Sequence, residues 1–192
     1  MSAFEHLLTL GSFVLAISLA QILRFCAAAF HRRKEVRLSP AHALWVAIIF
    51  LAQISFWLGA YNFQAEARMT YEAIAFVVVQ PVLFFLQSAL VSAGGDKGFD
   101  LKAHHAADGR AYMGLHLVST GLETAFLAWA VRRVPALDVG EYFLYQGVCI
   151  ALIAAAILFP RSRIQVPVAL ALLVFQFSNL YFGSQALAGV AD

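Results

Sequence analysis

Six apolar, almost uncharged stretches of about twenty residues alternate along this chain with short segments that hold nearly all of its charge. A hydrocarbon core about 30 Å thick takes roughly 20 residues of helix to cross, and only helices and closed barrels satisfy their backbone polar groups without water. Barrel strands alternate apolar and polar residues, whereas these runs are unbroken, so the fold class is all-α: a polytopic integral membrane protein with six transmembrane helices. The spacing predicts spans at Leu7–Ala29, Ala43–Tyr61, Tyr71–Ser92, Tyr112–Val131, Glu141–Phe159 and Val166–Leu187. Little chain remains outside them, so residues 1–192 form a single domain.

Composition excludes the main alternatives. Hydrophobic residues make up 62% of the chain and charged residues 12%, against about 45–50% and about 25% in a soluble domain. Disorder, a collagen helix and a disulfide scaffold each need a composition that is missing here. Cys26 and Cys149 fall at different depths, which disfavours a bridge and leaves them as small packing residues. The first segment opens with Glu5 and His6 rather than a basic stretch and is too long for a signal peptide, so it reads as a span.

Lys and Arg set the expected orientation. One side carries Arg24, Arg32, Arg33, Lys34, Arg37, Lys97, Lys102, Arg110, Arg161 and Arg163, and the other Arg68, Arg132 and Arg133. That bias places both termini on the non-cytoplasmic side of an inner membrane. Trp45 and Trp57, with Tyr61 beyond, are expected as interfacial anchors or as ordinary packing residues. Without a basic water-exposed module, nucleic acid is not an expected partner. The expected partners are the lipid bilayer and either further copies of the chain or other membrane subunits.

Within the spans, polar residues are costly and often mark function. Glu123 lies near the middle of the fourth span, and Thr120, Ser119 and His116 precede it on one helical face, with Tyr112 continuing the line. Gln53 in the second span, Gln80 and Gln87 in the third, and Gln176 and Asn179 in the sixth are the amides expected to complete a polar seam. Arg24 either snorkels to head groups or reaches inward toward Glu123. Pro81 removes a backbone hydrogen bond and frees the Val77 carbonyl, giving a packing kink or the edge of a cavity. Similar short words around Gln80–Gln87 and Gln176–Gln185 raise a 3+3 inverted repeat as one possible organisation.

His42 and His116 share a depth on different spans, the minimal condition for haem between helices. His104 and Asp108 are four apart in the third connection, as two metal ligands on one face would be, although solvated residues beside a lipid surface are the plainer expectation for them and for His105. Gly-x-Ser-x-Gly, His-Glu-x-x-His and Cys-x-x-Cys are all missing, so an enzyme is the least supported class. Three functions stay open: a small transporter or channel for protons or a small solute, an accessory subunit of a larger membrane complex, or a haem-binding redox protein.

Overall fold

Long apolar runs propagate as helix once nucleated, and polar caps decide where they begin. The computed structural model describes residues 3–62, 70–93, 99–132, 140–160 and 163–188, with the side chains of residues 3–5, 60–62, 141, 179 and 181–188 also outside the description. Six helices follow in order: α1 (Ala3–His31), α2 (Pro40–Asn62), α3 (Tyr71–Ser92), α4 (Leu101–Val131), α5 (Gly140–Leu158) and α6 (Gln165–Ala188). No strand occurs among the described residues, apart from an isolated bridge between Arg37 and Asp100.

Three helices, α1, α2 and α3, are long and apolar enough to cross a membrane. The fourth carries histidines and Glu123 along its length, and the apolar stretches of the last two, Tyr142–Leu158 and Gln165–Ser178, are shorter.

The fourth helix begins eleven residues before its predicted start. Asp100 caps it, accepting a hydrogen bond from Ala103 N–H at 2.9 Å, as a short acidic side chain ahead of an apolar residue does. Thr70 caps α3 through Ala73 N–H at 3.3 Å.

Helix α1 packs chiefly on α3, α3 on α4, α4 on α5, α5 on α6 and α6 on α2, while α2 also meets α3, α4 and α1. The extensive α1–α3 interface has no comparable α4–α6 counterpart among the described residues. Among the described residues the two groups of three helices therefore pack differently.

The connections after α1 and α3 meet at one end of the bundle. Arg37 N–H donates to the Phe99 carbonyl, Leu101 N–H donates to the Arg37 carbonyl, each at 3.1 Å, and Arg37 Nη1 reaches Asp100 Oδ2 at 3.2 Å. Gln165, at the start of α6, caps the end of α5 by donating to the Ala156 and Phe159 carbonyls at 2.7 and 2.9 Å, and its side chain also meets His105 of α4. Arg32, Arg33, Lys34, Arg37, Lys102 and Arg163 thus share an end.

Large apolar side chains face outward on several helices, including Leu10, Phe13 and Ile17 of α1, Leu144 and Val148 of α5, and Leu170, Val174 and Phe177 of α6. Inside are two apolar clusters. One runs from Ile22 and Phe25 through Trp45, Ile49, Tyr112 and Met113 to Ile153 and Leu172; the other joins Leu15, Ala52, Phe56, Phe76 and Phe84. Fully buried Trp45 packs against Tyr112 and His116, so it is a core residue and not an interfacial anchor, while Trp57 is exposed. Tyr61 lies outside the described side chains. Cys149 is buried as a packing residue, but Cys26 is exposed.

Candidate functional site

On a helix, residues three and four apart share a face, and α4 turns such a face into the bundle. His104, His105, Tyr112, His116, Ser119 and Thr120 are all buried, and Glu123 is partly buried. The amides opposite them stand seven apart on α3, where Gln80 and Gln87 are fully buried.

Gln80 Nε2 donates to both Ser119 Oγ, at 2.5 Å, and Glu123 Oε1, at 2.7 Å. One helical turn away in α4, His116 Nδ1 lies 3.0 Å from Gln87 Oε1. The Gln87 amide is turned by its own N–H bond to the Leu115 carbonyl, at 3.5 Å, so its oxygen accepts from Nδ1–H. That arrangement leaves the lone pair of neutral His116 on Nε2. Thr120 Oγ1 donates back to the His116 carbonyl at 3.0 Å and so belongs to the helix rather than to the α3 contact.

Gln146 of α5 completes the Glu123 surroundings. Its amide stands beside the carboxyl and donates to Tyr142 Oη at 2.8 Å. Sequence reasoning passed over Gln146 because it sits alone in an apolar run; its signal was depth, which matches that of Glu123 when the fourth and fifth spans are antiparallel.

The other expected amides lie elsewhere. Gln53 donates to Ser88 Oγ at 3.0 Å and to the Ile49 carbonyl at 3.1 Å, and Ser88 is bonded to Ser18 Oγ at 2.8 Å. This second node ties α1, α2 and α3 together, away from α4. Gln176 sits on α6 with its Oε1 buried and unpartnered among the described residues, and the side chain of Asn179 lies outside them. The sixth helix packs on α2 and α5, so Gln176 does not join the α3–α4 seam.

Toward the basic end the seam continues into a histidine cluster. His105 Nδ1 is hydrogen-bonded to Tyr112 Oη. His104 places Nε2 3.0 Å from the Leu90 carbonyl and Nδ1 3.0 Å from Asp108 Oδ2. His42 is fully buried between them, with ring centres 5.2 Å from His104, 6.4 Å from His105 and 6.1 Å from Tyr112. Neither His42 nitrogen has a hydrogen-bond partner among the described residues. Burial holds His105 below the ordinary histidine range.

Hence His104 and His105 are not solvated beside a lipid surface. Placing the helix start at Tyr112 hid this, because α4 in fact carries both rings under the ends of its neighbours. His104 and Asp108 do meet, yet no group of three His, Cys, Asp or Glu residues able to hold a metal occurs among the described residues. Ring contacts through Tyr112 and Trp45 link His42 to His116.

Comparison with family models, with curated proteins and with solved structures finds no match to this chain. The site's own chemistry therefore carries the functional reading.

Proposed function

We propose that this chain is a six-span membrane protein that moves protons along the inward face of α4. Apolar side chains on the outside with fully buried glutamines on the inside reverse the arrangement of a soluble bundle, as a hydrocarbon surround requires. On this reading the basic end is cytoplasmic and both termini lie on the other side.

The observation that carries the proposal is the file of exchangeable groups from Asp108 and His104 through His105, Tyr112 and His116 to Ser119 and Glu123, closed on the α5 side by Gln146 and Tyr142. Direct hydrogen bonds between α3 and α4 leave no width there for a solute, which selects the proton over a larger cargo. The steps from Tyr112 to His116 and from His116 to Ser119–Thr120 are each about one helical turn, ~5.4 Å, a length that one water with two hydrogen bonds bridges. The lone pair on His116 Nε2 receives the proton, and Glu123 takes it up at the deepest point. The amides from Gln80 and Gln146 hold the carboxyl in place in either state, since an amide N–H donates to a carboxylate or to the carbonyl oxygen of the acid.

The test is proton flux into vesicles containing the purified protein, driven by an imposed potential and read with an entrapped pH dye. Glu123→Gln keeps the volume and hydrogen-bonding capacity but not the exchangeable proton, and it is expected to reduce flux about tenfold or more, as loss of a positioned acid–base group does. Equal flux from equally folded proteins rejects the path.

A further inference from the structure

Outside the α3–α4 seam, the most developed feature is a cleft of about 470 Å³ at the basic end, between α1 and the end of α3. Gln21, Arg24 and Arg32 line one side, Ser92 the other, and Phe25 and Phe99 supply apolar wall. We infer that this cleft binds a phosphate ester, with both guanidinium groups and the Ser92 hydroxyl on the phosphate oxygens.

Two unpaired cations in one cleft are the first argument. Arg24 has no ion pair among the described residues, and Arg32 meets only the Phe99 ring, 5.7 Å below its guanidinium carbon. Arg24 therefore does not reach inward to Glu123. Arg24 lies on α1 and Arg32 just past its end, eight positions apart or about 12 Å at helical rise, a gap that two arginine side chains span to reach one ligand.

Unspent polar atoms are the second argument. Ser92 Oγ and Gln21 Oε1 are buried and have no partner among the described residues, so a donor and an acceptor are left at the same place. A buried polar group without a partner is costly, and a bound ester with a phosphate and a hydroxyl-bearing head would satisfy both.

The third argument is the floor. Phe99 adopts φ 59°, a left-handed conformation unfavourable for a residue with a Cβ. It is held there by the Arg37 backbone bond and by stacking on Phe25 at 6.1 Å. This places the ring beneath Arg32, where it covers one face of the guanidinium at the edge of the cleft. Paired planar forks suit a tetrahedral oxyanion better than a single carboxylate, and the volume exceeds that of inorganic phosphate, which points to an ester.

A phosphodiester lipid head group and a soluble phosphate ester share this chemistry, and separate probes distinguish them. Protein purified in a neutral detergent is titrated with short-chain phosphatidylglycerol and, separately, with glycerol 3-phosphate, and binding is followed by native mass spectrometry and calorimetry. We expect one saturable site. Arg24→Gln combined with Arg32→Gln should weaken it by about tenfold or more, and Arg163→Gln, at the same end but outside the cleft, should leave it unchanged. Dependence on the pair with phosphatidylglycerol identifies a lipid site, and with glycerol 3-phosphate alone a soluble-ester site. Binding of neither probe, or equal binding by the double variant, overturns the inference. Should the double variant not fold, the pair Arg24→Lys and Arg32→Lys keeps both charges but loses the forks; it is expected to bind more weakly, and equal binding overturns the site. None of these readouts involves proton flux, so the cleft and the α4 path stand or fall separately.

Discussion

Gln80 holds two acceptors on α4 with one amide nitrogen, so its removal strands more than itself. In Gln80→Leu, Ser119 loses its cross-helix bond and Glu123 its α3 donor. Each buried group left unsatisfied costs about 1–3 kcal/mol, and thermal unfolding in detergent should show a loss of that order, several times that of an outward change such as Val82→Leu. A loss no larger than the outward control would mean that these bonds are not made in the folded protein. Gln80 and its α4 partners were legible in the sequence because helical spacing and depth select them directly. Gln146 was not, since a single amide in an apolar run carries no spacing signal. Gln53 was legible as buried but not as separate, because which neighbour a helix faces is decided by packing and not by its own pattern.

At the scale of the helix, the closest approach in the bundle joins α1 to the proline turn of α3. A Cβ at Gly11 would stand 3.3 Å from the Val77 carbonyl oxygen and 3.5 Å from Pro81 Cγ. Pro81 leaves that carbonyl without its usual donor, and the bare Gly11 backbone packs over it. Gly11→Ala asks for a shift of a few tenths of an ångström, whereas Gly11→Val overpacks the contact. The expected loss for valine is about 1–3 kcal/mol, with alanine well below it, and unfolding midpoints of the two variants check the order. Equal midpoints for wild type and Gly11→Val would contradict this packing.

The start of α4 offers a second test. The Ala103 N–H bond and then the Arg37 charge hold the Asp100 carboxyl below the usual carboxylate range. A depressed folded pKa contributes stability that is complete above the ordinary value near 3.8 and is lost as pH falls through the lower folded value. Asp100→Ala should lower the unfolding midpoint at pH 7 and flatten its decline on acidification; an unchanged midpoint removes the cap from the account of α4. The cap residue was visible in the sequence, but a polar stretch with two histidines reads as a loop until the helices that cover it are known.

For the whole molecule, the arrangement of ends is the property to check. Backbone bonds at Arg37 and the Gln165–His105 contact place the connections after α1, α3 and α5 together, and sidedness follows if the bundle crosses a membrane. In a background with Cys26 and Cys149 replaced, Lys34→Cys and Lys102→Cys should resist a membrane-impermeant maleimide applied to intact cells, and Arg132→Cys should react. Labelling of all three from outside would contradict the six-span reading. Helix number and the basic end were legible because hydropathy and charge are local properties. The order in which helices touch was not, since it depends on complementarity between faces, and the shared words that hinted at a repeat carry no such information.

The most direct measurement sets two buried polar positions against each other in the same vesicles. Glu123 belongs to the α4 file, whereas Gln53, a fully buried polar residue, belongs to the node joining α1, α2 and α3. If protons travel along α4, Glu123→Gln lowers flux about tenfold or more while Gln53→Leu, once folded, conducts as the wild type does. Equal flux from all three proteins, or equal loss in both variants, would show that these side chains hold the bundle together and carry nothing through it.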